Sequence, residues 1–142
     1  MVRISEEEAR RLGLASEIPK QPKKRKYNNQ PCEFNGLKFD SIKERDYYIT
    51  LLDEEKRGEI YELERQIKLL IQPSFKTPDG KTEKAIYYIA DFKYTTITDV
   101  GGGKHEVKTH YIDVKGGNAT KTAVYKLKKK LLAYRGYFIE EV

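Results

Sequence analysis

Residues 85–115, AIYYIADFKYTTITDVGGGKHEVKTHYIDVK, decide the fold. Tyr, Ile, Thr and Val crowd both halves and Gly101-Gly102-Gly103 parts them, the pattern of two long antiparallel strands joined by a hairpin loop. The first is predicted over residues 85 to about 98 and the second over 106–115, where Gly116-Gly117 breaks it. Upstream, residues 60–71 read as another strand, halted by Pro73, with a turn at Pro78-Asp79-Gly80. Before that strand, Ser41 is a good N-cap, Glu44 falls at the third helical position, and Gly58 follows Lys56-Arg57. A helix over about 42–57 results, with Tyr48, Leu51, Leu52 and Glu55 on adjacent rows. Downstream, Thr120 or Thr122 caps a helix to Arg135 in which Val124, Leu127, Leu131 and Tyr134 keep helical spacing. Gly136 ends it, and Tyr137-Phe138-Ile139 reads as a last strand. The order is α-β-β-β-α-β. Three antiparallel strands, then a helix crossing to a fourth, give a mixed four-stranded sheet flanked by helices, of the α/β (α+β) class.

The segment ahead of this unit reads differently. Ser5-Glu6-Glu7-Glu8 has capping-box spacing and Gly13 is a stop, so a short helix is expected over 6–12. Residues 15–36 hold Pro19, Pro22, Pro31, Asn28, Asn29 and Gly36 among basic side chains, with few apolar groups to offset ordering entropy. Residues 1–36 are therefore expected to be a basic, partly disordered arm, and residues 37–142 the domain. Pro22-Lys23-Lys24-Arg25-Lys26 also looks like a nuclear-import signal, although plain attraction to a DNA backbone is the simpler reading.

At 142 residues the chain has the length of one domain. Its mean hydropathy of −0.77 and the absence of any long apolar run exclude an integral membrane protein. Cys32, the lone cysteine, makes no internal disulfide, and with only His105 and His110 it makes a poor zinc cluster. Both histidines read as surface residues. No secretory signal opens the sequence, so a reduced, cytoplasmic protein is expected. The formal charge is +6, and residues 1–26 carry eight basic against four acidic side chains. From Gly116 through Ile139 there are six Lys/Arg and no carboxylate. Such runs suit a polyanion, or form an ordinary solvated helix face; charge alone leaves both open.

Chemistry concentrates at the strand ends. Along Val107, Thr109, Tyr111, Asp113 and Lys115 the side chains share one face, so Asp113 and Lys115 project together. Taken alone, that dipeptide reads most simply as an ion pair on a strand edge. Asp91 lies in the apolar run Tyr88-Ile89-Ala90-Asp91-Phe92, where an ionised carboxylate is costly unless paired or metal-bound. A hairpin could bring Asp91 beside Asp113, and a hard divalent cation would relieve their repulsion. Glu44 has a competing role as the acid of a capping box with Ser41.

Together these pieces resemble the PD-(D/E)XK nuclease superfamily, through Glu44, Asp91 and Asp113-Val114-Lys115 and through the matching order of the common core. The closer resemblance is to a small branch, mostly encoded by phages and prophages and catalogued as a domain of unknown function. It rests on Gly36-Leu37-Lys38-Phe39-Asp40-Ser41, Tyr88-Ile89-Ala90-Asp91-Phe92, Asp113-Val114-Lys115-Gly116 and Tyr125-Lys126-Leu127-Lys128-Lys129-Lys130, and covers roughly residues 27–142. The resemblance implies a restriction-endonuclease-like core and Mg²⁺, with Mn²⁺ able to substitute. It implies Asp91 and Asp113 as metal ligands, the Val114 carbonyl as a third, Lys115 to position the attacking water, and Glu44 to hold water at the metal or a second metal. Ala90 stands where the eponymous pattern has proline, which lowers the specificity of the match. Gln66, polar in an apolar-patterned strand, is a supporting group at most.

The leading expectation is a Mg²⁺-dependent DNA endonuclease, acting within a bacterial host on branched DNA in phage replication or recombination. Lys23, Lys24, Arg25 and Lys26 of the arm and Lys126, Lys128, Lys129 and Lys130 of the last helix would contact the DNA backbone without reading sequence. Cutting two strands in register would call for a homodimer. The alternatives are a non-catalytic DNA-binding or replication-accessory protein, and a protein-interaction module with a lysine-rich surface.

Overall fold

The computed structural model describes Arg11, residues 30–115 and residues 121–142. The expected helix over 6–12 (of which Arg11 alone is described), the arm residues Lys23, Lys24, Arg25 and Lys26, and the break at Gly116-Gly117 lie outside the described residues.

The fold starts before Leu37. Strand β1 (Cys32–Phe34) and strand β2 (Leu37–Phe39) form a hairpin through Asn35 and Gly36, at φ 50° and 75°. Asn-Gly tolerates the left-handed conformation whose twist matches the flanking strands. Cys32 and Phe34 pack on the core, so the boundary at residue 36 is corrected: the hairpin belongs to the domain. The three-residue strand sits in a stretch whose proline-rich composition gives no strand signal.

Helix α1 (Ile42–Lys56) follows, N-capped by Ser41, whose Oγ accepts the Glu44 N–H at 3.1 Å. Strand β3 (Tyr61–Gln72) leads through a small hairpin, β4 (Phe75–Lys76) and β5 (Thr82–Glu83), into β6 (Ile86–Gly101) and β7 (Lys104–Asp113). Helix α2 (Ala123–Tyr134), capped by Thr122, crosses to β8 (Ile139–Glu141). The main sheet is a curled, mixed one of order β3-β6-β7-β8, antiparallel except for the β7–β8 pair. Its order α1-β3-β6-β7-α2-β8 is the expected one. Several strand bounds move: β6 runs on to Gly101 and β7 starts at Lys104, which tightens the hairpin loop. Strand β7 ends at Asp113, leaving Lys115 beyond it, and β8 begins two residues late because the Tyr137 N–H donates to the Leu132 carbonyl at 2.9 Å as part of the helix terminus.

Two apolar clusters hold the layers together. One joins Leu69, Ile71, Tyr88 and Ala90 to Tyr125 and Leu132 of α2 and Ile139 of β8. The other joins Phe92 and Ile112 to Leu51 of α1, Phe39 of β2 and Ile60. The apolar row of α2 that keeps helical spacing does not face the core. Val124, Leu127, Leu131 and Tyr134 are exposed, and the helix instead buries Tyr125 and Leu132, about a quarter-turn away. Tyr125 decides the rotation: its ring meets Tyr88 with centroids 6.2 Å apart, and its hydroxyl donates to Glu141 Oε1 at 2.8 Å. Apolar spacing alone cannot register that second demand.

Leu132 has no exposed surface, whereas Leu127 is 58% exposed. Leu132→Ala should therefore lower the unfolding free energy by about 2–5 kcal/mol. Leu127→Ala should cost less than ~0.5 kcal/mol. Urea unfolding of both variants checks the order; the reverse order would put the other face of α2 against the sheet.

Candidate active site

On α1 the buried row runs Glu44, Tyr48, Leu51, at helical spacing i, i+4, i+7. The row that packs on the sheet thus begins with an acid, only 5% exposed. Its carboxylate does not close a capping box. Glu44 Oε1 instead accepts from Gln66 Nε2 at 3.3 Å, across to β3. Gln66 adopts φ 51° inside a strand, a conformation that costs a non-glycine residue about 1–3 kcal/mol. It is therefore more than a polar interruption: its backbone is bent where its amide meets Glu44.

The two aspartates come from the ladder. Phe92 pairs with Ile112, so Asp91 and Asp113 stand one residue beyond that pair, where β7 ends. The segment after β7 is then pinned from three sides. The Val114 N–H donates to Asp91 Oδ2 at 2.8 Å. The Lys115 N–H donates to the Val142 carbonyl and the Val142 N–H to the Asp113 carbonyl, each at 2.9 Å. Lys43 Nζ, from the first turn of α1, donates to the Lys115 carbonyl at 2.7 Å. The Val114 N–H being committed, only its carbonyl is left to act as a ligand. Four chain segments therefore bring Glu44, Asp91, Asp113 and Lys115 toward one corner of the sheet.

The Asp113–Lys115 ion pair exists, but not as an exposed edge pair. Asp113 is 2% exposed, and Lys115 Nζ lies 3.1 Å from its Oδ2 and 4.0 Å from the centre of the Tyr125 ring. The ammonium approaches from a direction that makes no hydrogen bond, so Asp113 Oδ2 stays a buried acceptor without one. Burial pushes the Asp113 carboxyl above its usual range, with Lys115 and the Asp91 N–H opposing. Burial also raises Asp91, against the Val114 N–H and the Lys115 and Arg65 charges. Glu44 is pushed up to about 7, first by burial, then by the charges of Asp91 and Asp40.

Sequence reasoning missed three participants. Asp40 adds negative charge near Glu44 and Asp91, and Arg65 opposes it. Arg65 is held with its guanidinium 4.1 Å from the Phe39 ring centre and its Nη2 donating to the Lys38 carbonyl at 2.9 Å, while its Nε is buried without a partner. A lone arginine on a strand that packs its alternate residues was the available signal. Tyr125 was visible only as part of a lysine-rich phrase.

The lysines of α2 divide. Lys126 and Lys130, one turn apart, are exposed. Lys129 Nζ instead pairs with Glu141 Oε1 at 2.7 Å, and Lys128 Nζ donates to the Tyr87 carbonyl at 3.1 Å. Lys121 also pairs with Glu141, whose carboxyl falls to about 2 under these two lysines and the Tyr125 hydroxyl. His105 is exposed as expected, but His110 is not a plain surface residue: its ring joins Thr96 Oγ1 and Glu140 Oε1, each at 2.8 Å, and stacks on Tyr94.

Among the described residues no three Asp, Glu, His or Cys side chains already form a metal-ligand group. The donor set nevertheless fits a hard cation. Mg²⁺ takes one or two carboxylates and keeps several waters. Asp113 Oδ2 supplies a buried oxygen held only by the Lys115 ammonium, and Asp91 lies opposite it in the ladder, next to Val114. An ammonium at the same corner can balance the charge of a bound phosphate.

The raised Glu44 carboxyl gives a signed pH dependence. With its ordinary value at 4.5 and its folded value about 7, its contribution favours the fold fully below pH 4.5 and is lost as pH rises through about 7. Glutamine cannot ionise. In chelator, Glu44→Gln should therefore melt higher than the natural chain at pH 8 and match it near pH 4. The gain is at most ~3 kcal/mol, less as water screens the carboxylate. Equal melting at pH 8 would make Glu44 an ordinary exposed carboxylate.

No curated protein and no solved structure matches this chain. A family model does match it over residues 24–141, and the chain belongs to the family described as "Protein of unknown function (DUF1064)".

Proposed function

We propose that the protein is a divalent-metal-dependent DNA endonuclease of the PD-(D/E)XK type. One observation carries the reading: the half-buried Asp91 of β6 and the buried Asp113 at the end of β7 stand opposite one another, with Lys115 3.1 Å from Asp113 Oδ2. Among the described residues, Glu44, Asp91, Asp113 and the nearby Asp40 face only Lys115 and Arg65, an excess of carboxylates that a divalent cation would balance. Bound there, Mg²⁺ or Mn²⁺ would polarise a phosphodiester and stabilise the charge of its transition state. Asp91, Asp113 and the Val114 carbonyl would hold it. Lys115, on its pinned backbone, would orient the attacking water and neutralise phosphate charge. Glu44, which can carry a proton near neutral pH, would accept one from that water.

Lys126 and Lys130 offer exposed charge to the DNA backbone; Lys129 and Lys128 are already engaged within the fold and contribute less. The arm lysines would add a sequence-independent attraction. The cellular setting on this reading is the bacterial cytoplasm during phage replication or recombination, with branched DNA as substrate and two copies of the chain cutting two strands. No helix of the described residues is long and apolar enough to cross a membrane. A non-catalytic DNA-binding protein is the second reading; the retention of Asp91, Asp113 and Lys115 together weighs against it.

Linear, flapped and four-way DNA should be cut with Mg²⁺ or Mn²⁺ and left intact in chelator. Asp113→Asn and Lys115→Ala should each reduce cleavage by ~100-fold or more. Asp113→Asn should also lose most Mn²⁺ binding by calorimetry. Cleavage that survives both substitutions would remove this corner as the active site.

The DNA contact is read separately. Neutralising Lys126 and Lys130 with glutamine should lower the slope of log affinity against log salt by about 2, at ~0.9 per phosphate contact. Lys129→Gln should change that slope little. An unchanged slope in the double variant would show that α2 does not face the DNA.

A further inference from the structure

We infer that the β6–β7 ribbon joins this chain to a second copy, by antiparallel pairing of the free edges of β7 about Val107. The pairing of β3 with β6 stops at Tyr61↔Thr95, and that of β8 with β7 spans only Tyr111 to Asp113. Among the described residues, 96–109 are therefore paired only within the ribbon, from Thr96↔Lys108 to Gly101↔Lys104. Residues 97–109 are all exposed. Ile97 and Val107, 48% and 65% exposed, face each other across the ribbon with no core beneath them. An edge of this kind presents a row of unpaired N–H and C=O groups.

Charge selects the occupant. Residues 96–109 hold Asp99 and Glu106 against Lys104 and Lys108, a formal net of zero, so the ribbon has nothing to draw a polyanion. Charged residues on an edge ordinarily block pairing by setting like charges opposite one another. Around Val107 they do the reverse. With a two-fold axis at Val107, Glu106 lies opposite Lys108 of the second copy, and the second copy's Glu106 lies opposite Lys108. His105 meets Thr109, and Lys104 meets His110, whose ring already bonds Glu140. No carboxylate faces a carboxylate. The paired run, residues 104–110, has the length of an ordinary strand. The exposed row on α2 makes a poorer self-contact, since Lys128 and Lys130 flank it and a second copy would press lysines together.

The contact does not rest on the nuclease reading: a dimer that cuts nothing leaves it standing, and a monomer that cuts overturns it. The full chain should sediment as a dimer. Glu106→Lys and Lys108→Glu should each weaken the dimer about tenfold or more, because each sets two like-charge pairs opposite one another. The double variant Glu106→Lys/Lys108→Glu should restore it. Val107→Cys, with Cys32→Ser, should form a disulfide between copies under mild oxidation, since residues opposed across an antiparallel pair have the Cα spacing a disulfide needs. Glu106, Val107 and Lys108 are exposed, and at the half-buried Cys32 serine keeps a donor for the Ser41 carbonyl, so the variants should fold. A monomeric natural chain would overturn the inference. So would a dimer indifferent to both charge reversals, or one whose double variant stays as weak as the singles.

Discussion

The structure is organised around an arrangement that resists being made: three carboxylates, of Glu44, Asp91 and Asp113, in a poorly hydrated corner. Each would sit more cheaply in water, and each has its ionised form disfavoured by burial. What keeps them there is backbone. The segment from Asp113 to Lys115 is tied to β6 through Val114, to β8 through Val142 and to α1 through Lys43, so its backbone cannot move away without breaking bonds on three elements. The mixed topology serves this directly. A parallel β8, returned by α2, places Val142 where it can hold the end of β7.

The carboxylates of this corner differ in their surroundings despite similar chemistry. Asp91 has one oxygen engaged by a backbone N–H, which favours its charged form. Asp113 has a near but poorly aligned ammonium. Glu44 has a long bond from Gln66, with the Asp40 N–H and Arg65 opposing burial and two acidic neighbours, and its carboxyl is pushed up to about 7. Environments that push neighbouring acids apart in this way separate a group that stays charged from one that exchanges protons near neutrality. On the proposed reading Asp91 and Asp113 are the holders and Glu44 the exchanger. Tyr125 closes the side facing α2, linking Lys115 above its ring to Glu141 at its hydroxyl.

Much of this was legible in the sequence, for identifiable reasons. Ser41 and Gly58 bounded α1 because caps and stops are local. The Gly101-Gly102-Gly103 hairpin fixed the pairing of β6 with β7, and with it the meeting of Asp91 and Asp113. What was not legible depended on tertiary choices. The rotation of α2 follows from Tyr125 reaching Tyr88 and Glu141 at once, which apolar spacing at Val124, Leu127, Leu131 and Tyr134 cannot express. Gln66 gave no sign of its left-handed backbone, nor Arg65 of its seat against Phe39, because both follow from how β3 curls over β2. The β1–β2 hairpin was within reach: Asn35-Gly36 is a strong turn signal, overlooked inside a proline- and lysine-rich stretch.

The central claim, that Asp91 and Asp113 form a cation site with the end of β7, is most directly tested by paramagnetic broadening. Small additions of Mn²⁺ to the ¹⁵N-labelled protein should bleach the amide signals of Asp91, Phe92, Asp113, Val114 and Lys115 first. Those of the β6–β7 ribbon, from Thr98 to Lys108, should stay sharp, and an excess of Mg²⁺ should restore the bleached ones. Broadening centred elsewhere, or none at this corner, would contradict the account.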